Sequence, residues 1–188
     1  MPSGTPAEPA SPTTQEKLVA AAMAEFNDHG YSGTDTNRIA RRAGFAPQTF
    51  YRWFKDKTEV FIAAYRAWED EEIKALGALF AGDARAEALT DTAIAHHRRH
   101  LVFRRSLRQL SFENPDIRAA RAAARMRQIQ QIRAWVDAPA VTDEQLAVIL
   151  FQFERLADAV SEAEFADMGL SDAAGRAHIA GLIDALRG

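Results

Sequence analysis

The chain has 188 residues, 47% of them hydrophobic and 26% charged, a balance that supports a packed core and excludes a disordered chain. It contains no cysteine, which excludes disulfides, thiol nucleophiles and thiolate zinc sites. The net charge of −3 hides a segregation. Between Thr36 and Lys57, the cations Arg38, Arg41, Arg42, Arg52, Lys55 and Lys57 face a single acid, Asp56, on an otherwise acidic chain, as in a protein that meets a polyanion at one end.

Residues 1–12 hold Pro2, Pro6, Pro9 and Pro12 among small polar residues and are expected to form a disordered tail. No basic, apolar leader opens the chain. The longest apolar run, Leu146 to Phe151, is far below the ~20 residues needed to span a bilayer. A soluble protein in the cytoplasm is therefore expected, with no membrane partner.

The first helix is announced by a capping box, Thr13 with Glu16, followed by Leu18, Ala22 and Phe26 at helical spacing. It should end near His29, where Gly30 can take the left-handed cap. A second helix is predicted from Thr36 to Ala43, broken by Gly44, and a third from Pro47, which suits a first helical position, to about Phe54. A fourth runs from Lys57 past Tyr65 and Trp68 to Phe80, before Ala81-Gly82-Asp83. The remainder is alanine-rich, lacks strand alternation and reads as helix. Breaks are expected at Asn114-Pro115, Ala138-Pro139-Ala140 and Met168-Gly169. Thr142 should cap a helix reaching Asp167, and Ser171 one reaching Leu186. The expected fold is all-α: a head over residues 13–56 and a larger helical body over 57–188.

Thr34 to Lys57 has the layout of a helix-turn-helix, with Ile39, Ala40, Ala43, Phe45 and Phe50 as interior candidates around Gly44. Pro47, Gln48 and Thr49 open the second helix, where side chains reach base edges. Gln48 suits adenine, and Thr49 a thymine methyl or a phosphate. Tyr51 offers a hydroxyl to a phosphate, and Lys57 a charge at a helix N-terminus. The predicted DNA contacts are Thr36, Arg38, Arg42, Pro47, Gln48, Thr49, Tyr51, Arg52, Trp53 and Lys57.

The segment Leu18 to Val60 resembles the DNA-binding domain of TetR-type (tetracycline-repressor-like) transcriptional regulators. The matching pieces are AxxxFxxxGYxGT from Ala22 to Thr34, IAxxAGF from Ile39 to Phe45, and TFYxWFxxK from Thr49 to Lys57. Ala46 stands where the family often has Ser, Gln48 where it often has Gly, and Trp53 where His or Tyr is frequent. The resemblance implies a double-stranded DNA operator as partner, a small-molecule effector of unknown identity held by the body, and a homodimer formed by the last two helices. It covers about the first third of the chain; the rest matches only in size and helical character.

Two apolar seams give independent support for the dimer. Leu146, Ile149, Phe153, Leu156 and Val160 step at helical spacing, and Ile179, Leu182, Ile183 and Leu186 share a face beside Ala173, Ala177, Ala180 and Gly181. The expected interface is Phe153, Leu156, Val160, Ile179, Leu182 and Leu186, with an intramolecular core as the competing explanation. Candidate pocket residues are Tyr65, Trp68, His97, His100, Phe103, Leu107, Met126, Ile129, Trp135 and Phe151, residue types that also build plain cores. On a helical wheel from Ala84 to Leu101, His97 falls on the apolar arc. The arginines from Arg98 to Arg125 fit either a solvated face or an anionic ligand.

His96 and His100 are one turn apart, but no HExxH or Glu-x-x-His pattern and no phosphate loop or nucleophile elbow is present. No cofactor, no metal site and no catalytic residue is expected. Two functions compete: a ligand-responsive regulator, released as a repressor from a palindromic operator, and a helical carrier or protein-interaction module that no longer binds an operator.

Overall fold

The computed structural model describes residues 12–136 and 141–187. The tail expected over 1–12, apart from its last residue, and the break expected at Ala138-Pro139-Ala140 lie outside the described residues. Ten helices and no strand are found among those described: α1 (Thr14–His29), α2 (Thr36–Arg42), α3 (Pro47–Phe50), α4 (Lys57–Ala81), α5 (Ala86–Arg99), α6 (Leu101–Glu113), α7 (Pro115–Trp135), α8 (Asp143–Ser161), α9 (Glu164–Asp167) and α10 (Ala173–Arg187).

The local capping chemistry explains most boundaries. Thr13 and Glu16 close the capping box, with Thr13 N–H donating to Glu16 Oε2 at 2.7 Å. Gly30 takes φ +69° at the end of α1. Asn114 Oδ1 accepts from the N–H groups of Asp116 and Ile117, so the chain turns and restarts at Pro115. Thr142 and Gln145 form a second capping box.

Three boundaries differ from the sequence expectation: α3 ends at Phe50 rather than about Phe54, with turns continuing to Trp53, and two others lie in the body. The helix through His97 does not run unbroken into α6: His100 takes φ −124°, ψ 36° and separates α5 from α6. Asn27 of α1 sits at this break, donating to Arg99 O at 2.9 Å and accepting from Phe103 N–H at 3.4 Å. The helix after Thr142 ends at Ser161 rather than Asp167, because Ala163 adopts φ +63°. The turn lays Phe165 on Gly175, where a Cβ would stand 3.0 Å from the ring. Long-range packing thus overrides the helical continuity of the sequence.

The head and body share one core. Phe61 of α4 packs edge-on against Phe26 of α1 at 5.0 Å and at a tilt against Phe103 of α6 at 4.9 Å. From there Tyr65, Trp68, Leu107, Ile117 and Ala124 continue the same buried cluster. A second cluster joins α5, α8 and α10 through Leu89, Ile94, Ala157, Val160, Ile179 and Ile183. A third joins α7 and α8 through Ile129, Leu146 and Leu150. α4 is therefore the common strut: its N-terminal half is core to the head and its C-terminal half packs on α5 and α7. No described helix is long and apolar enough to cross a membrane.

Candidate nucleic-acid interface and sensor cavity

Asp35 caps α2 by accepting from Arg38 N–H at 2.8 Å. Gly44 takes φ +81°, and Phe45 N–H bonds back to Ala40 O at 2.9 Å, which closes the turn between the two helices. Ile39, Ala40 and Phe50 are fully buried, so α3 is clamped against α2 while its other side faces outward. Ala46 supplies no side-chain cap, as its substitution for Ser implies, and α3 is a short helix continued by turns to Trp53. Tyr51 is 58% exposed and Trp53 44% exposed, which leaves an open aromatic surface just after α3. Gln48 and Arg52 are exposed beside them, and Pro47 and Thr49 are half-buried. Thr36 does not point away alone: its hydroxyl shares a 2.9 Å hydrogen bond with that of Tyr51, tying α2 to the end of α3.

Three predicted phosphate contacts are already engaged within the head. Arg38 Nε donates to Glu25 at 2.9 Å, and Arg42 pairs with Glu25 at 3.2 Å and Asp28 at 2.6 Å. Glu25 is buried, and although burial opposes its charge, the two arginines hold its pKa below the ordinary range. Lys57 Nζ donates to Tyr31 O at 2.8 Å and Thr34 O at 3.0 Å, and lies 4.1 Å from the Tyr31 ring centre. Lys57 thus staples the loop between α1 and α2 to the start of α4, which corrects its assignment as a free phosphate ligand. Conversely, Arg41 and Lys55 are exposed and make no ion pair among the described residues. They belonged to the basic run but not to the predicted contacts; helical phase relative to α1, rather than charge, decides which cations stay free.

In the body, α4, α5, α7, α8 and α10 surround a cavity lined by Glu72, Ile73, Leu76, Phe80, Leu89, Gln128, Gln131, Ile132, Trp135, Ile149, Leu150, Phe153, Leu182, Ile183 and Leu186. Its volume is about 80 Å³. Phe80 and Trp135 stack at 5.0 Å along one side. Gly77 permits this arrangement, since a Cβ there would lie 3.1 Å from the Trp135 ring.

Of the residues predicted from sequence to line a pocket, Trp135 alone is on this wall. Tyr65, Trp68, Phe103 and Leu107 are buried in the core shared with the head, and Ile129 in the α7–α8 core. Met126 is 50% and Phe151 49% exposed, so neither faces an interior. Phe151 instead covers the Arg125 guanidinium at 4.7 Å. His100 Nδ1 bonds to His96 O at 3.2 Å, and His96 Nε2 to Trp68 O at 3.1 Å. The seam residues are redistributed as well. Val160 and Ile179 are buried within the protomer, and Phe153, Leu182 and Leu186 line the cavity. Leu156 packs half-buried against the α5–α8–α10 core.

Behind the cavity wall lies a buried charge network that sequence reasoning did not reach. His97 is 1% exposed; its Nε2 meets Glu72 at 3.0 Å and its Nδ1 meets Asp158 at 2.9 Å. Asp158 also accepts two bonds from the Arg104 NH2 group, at 3.0 and 3.1 Å, and Arg108 approaches its other oxygen at 2.7 Å. Burial and the nearby Arg104 oppose a charge on His97, but the bonds to Asp158 and Glu72 outweigh them and raise its pKa. Burial likewise opposes the charges of Glu72 and Asp158, yet His97 and the arginines hold both carboxyls below their ordinary range. Both ring nitrogens therefore donate, and the histidine is an imidazolium between two carboxylates. The arginine-rich span is sorted by the same geometry. Arg121 and Arg125 pair with the buried Glu154, Arg127 pairs with the buried Glu69, and Arg118 bonds Ser111 O.

The chain thus carries a helix-turn-helix head with a solvent-facing outer side, joined through the long helix α4 to an all-α body with an apolar cavity. Residues 18–64 match the family model described as bacterial regulatory proteins, tetR family, so this part of the chain is a TetR-type DNA-binding domain. The solved structures extend the likeness to the whole fold. A protein from Rhodococcus sp. assigned to the TetR family of transcriptional regulators superposes with a TM-score of 0.70 at 18% identity, over 93% of this chain and 98% of that one. The fatty acid degradation regulator FadR from Bacillus halodurans gives 0.63 at 13% identity, over 96% and 97% of the two chains. A regulator-type protein from Saccharomonospora viridis, solved in complex with choline, gives 0.63 at 19% identity, over 90% and 95%. No curated protein sequence matches. The head is thus similar to that family by its matched residues, and the whole chain is similar to its solved members by fold.

Proposed function

We propose that the protein is a cytoplasmic, homodimeric transcriptional repressor that leaves a palindromic operator when a small molecule enters the cavity between α4, α5, α7, α8 and α10. The observation that carries DNA reading is the exposed row formed by Gln48, Tyr51, Arg52 and Trp53 on the outer side of α3, with Arg41 and Lys55 beside it. Gln48 and Thr49 are the base readers in this proposal, and Arg41, Arg52, Lys55 and Tyr51 take phosphates. Thr36 and Pro47 position them, and Arg38 and Arg42 contribute positive potential while held by Glu25.

α4 supports the sensing role. It carries Lys57 at the head and Glu72, Leu76 and Phe80 at the cavity, so a ligand that favours one tilt of this helix changes the placement of the head. A structural neighbour solved in complex with choline supports the idea that a protein of this fold accommodates a small molecule. The dimer is proposed on the exposed faces of α8 and α10. Val148 is 55% exposed there, and Ala174, Ala177, His178, Gly181 and Ala185 recur at helical spacing on one open side of α10. Small residues permit close approach of paired helices, and two helices from each protomer make a four-helix interface.

Selection of genomic fragments with the purified full chain, followed by sequencing, tests this reading. Enrichment of a pseudo-palindrome, with half-sites one helical turn or a multiple apart, is expected. Uniform retention of all fragments, lost on modest salt addition, would leave only non-specific binding and overturn it.

A further inference from the structure

The cavity has a one-sided chemistry. Its walls are aliphatic and aromatic, including Leu76, Phe80, Trp135 and Leu186, and its polar lining is Glu72, Gln128 and Gln131, with no cationic side chain. Glu72 is a fixed acceptor, since its carboxylate is held ionised against His97 at 3.0 Å. Gln128 Oε1 is buried and accepts no hydrogen bond. A buried acceptor without a donor is costly, and any molecule that supplies the donor recovers that cost on binding. A carboxylate ligand would bring a second negative charge beside Glu72, with no cationic side chain on the wall to offset it. A permanent cation is not required, because the Glu72 charge already faces the imidazolium of His97.

We propose that this cavity takes a mainly apolar, uncharged molecule carrying a hydrogen-bond donor, an aryl or alkyl alcohol being the simplest case, with its hydroxyl directed to Gln128 Oε1 and Glu72 and its body along Phe80 and Trp135. The inference rests on the reading of the cavity as the sensor site. It also supplies a route to the head. A donor arriving at Glu72 draws on the carboxylate that also receives His97, and Glu72 is on α4 whereas His97 belongs to α5 and is fixed to Asp158 of α8. Occupancy therefore bears directly on the tie between α4 and the remainder of the body.

The test is calorimetric titration of the full chain with a matched set: toluene, benzyl alcohol and benzoate. Benzyl alcohol should bind about tenfold more tightly than toluene, and benzoate should not bind. Gln128→Leu, close to the native side chain in volume, should narrow the ratio of benzyl alcohol to toluene affinity to near one. Leu186→Trp, which fills the cavity, should remove binding of both while the variant still unfolds cooperatively. Equal affinity for toluene and benzyl alcohol in the wild type, or preferential binding of benzoate, would overturn the donor assignment and leave the cavity as a ligand site. Absence of binding by both toluene and benzyl alcohol would overturn the sensor reading together with it.

Discussion

His97 and Asp158, 61 residues apart, meet at 2.9 Å in the interior of the body, and Glu72 holds the other side of the same ring. This places a protonated histidine between α4, α5 and α8, and it makes stability depend on pH in a defined direction. Folding raises the His97 pKa, so its contribution is complete below about pH 6.5, the ordinary histidine value, and is lost as pH rises through the raised value. Folding lowers the Glu72 and Asp158 pKa values, so their contributions are present above about pH 4 and are lost as pH falls. Calorimetric melting across about pH 2 to 9 should show a plateau with decline on both sides. His97→Gln should lack the alkaline decline; an identical alkaline slope in wild type and variant would place the titration elsewhere.

Asp158 is the hub of the network, and removing it strands Arg104, which is 2% exposed. Loss of one partner from a buried ion pair costs about 3–5 kcal/mol, more than the pair contributes over an apolar replacement, because the remaining charge has no solvent. Asp158→Ala should therefore lower unfolding free energy in urea by that amount. A loss under about 1 kcal/mol would show that Glu72 and Glu154 alone support the Arg104 charge.

In the head, Lys57 and Arg52 should respond oppositely to truncation. Lys57→Ala removes two bonds to the carbonyls of Tyr31 and Thr34 and should lower the melting temperature of the head. Its effect on DNA should be a uniform loss with little change in salt dependence. Arg52→Ala leaves the fold intact and should reduce the slope of log affinity against log salt by about 1. Gln48→Ala should alter sequence preference instead. Fluorescence anisotropy over a salt series separates the three; a full unit of slope lost in Lys57→Ala would return that side chain to the DNA surface.

Association should depend on the exposed side of α10 rather than on its apolar seam. Gly181→Glu and Ala177→Glu project charge into open space on the protomer, where a Cβ at Gly181 meets nothing within 4 Å. They should yield folded monomers in analytical ultracentrifugation. Ile179→Glu, by contrast, places a charge in the protomer core and should unfold it. Dimers that persist in both exposed-face variants would locate the interface elsewhere.

The sequence by itself determined what depends on neighbours along the chain. Thr13 with Glu16, Asp35, Gly44, Pro47, Asn114 and Thr142 set helix ends through bonds spanning a few residues, and the head could be recognised because its turn and both helices occupy one short segment. His97 was also placed correctly on an interior face, since helical phase is a local property. Tertiary structure alone decided what the interior is made of. Val160 and Ile179 have the pattern of an interface but bury each other, and Lys57 and Arg42 have the charge of phosphate ligands but are engaged by α1 and its loop. The reason is that periodicity gives the direction of a side chain from its own helix axis, whereas its partner depends on how helices tens of residues apart cross. The cavity is an extreme case: it is space left between five helices, and no segment of the chain encodes it on its own.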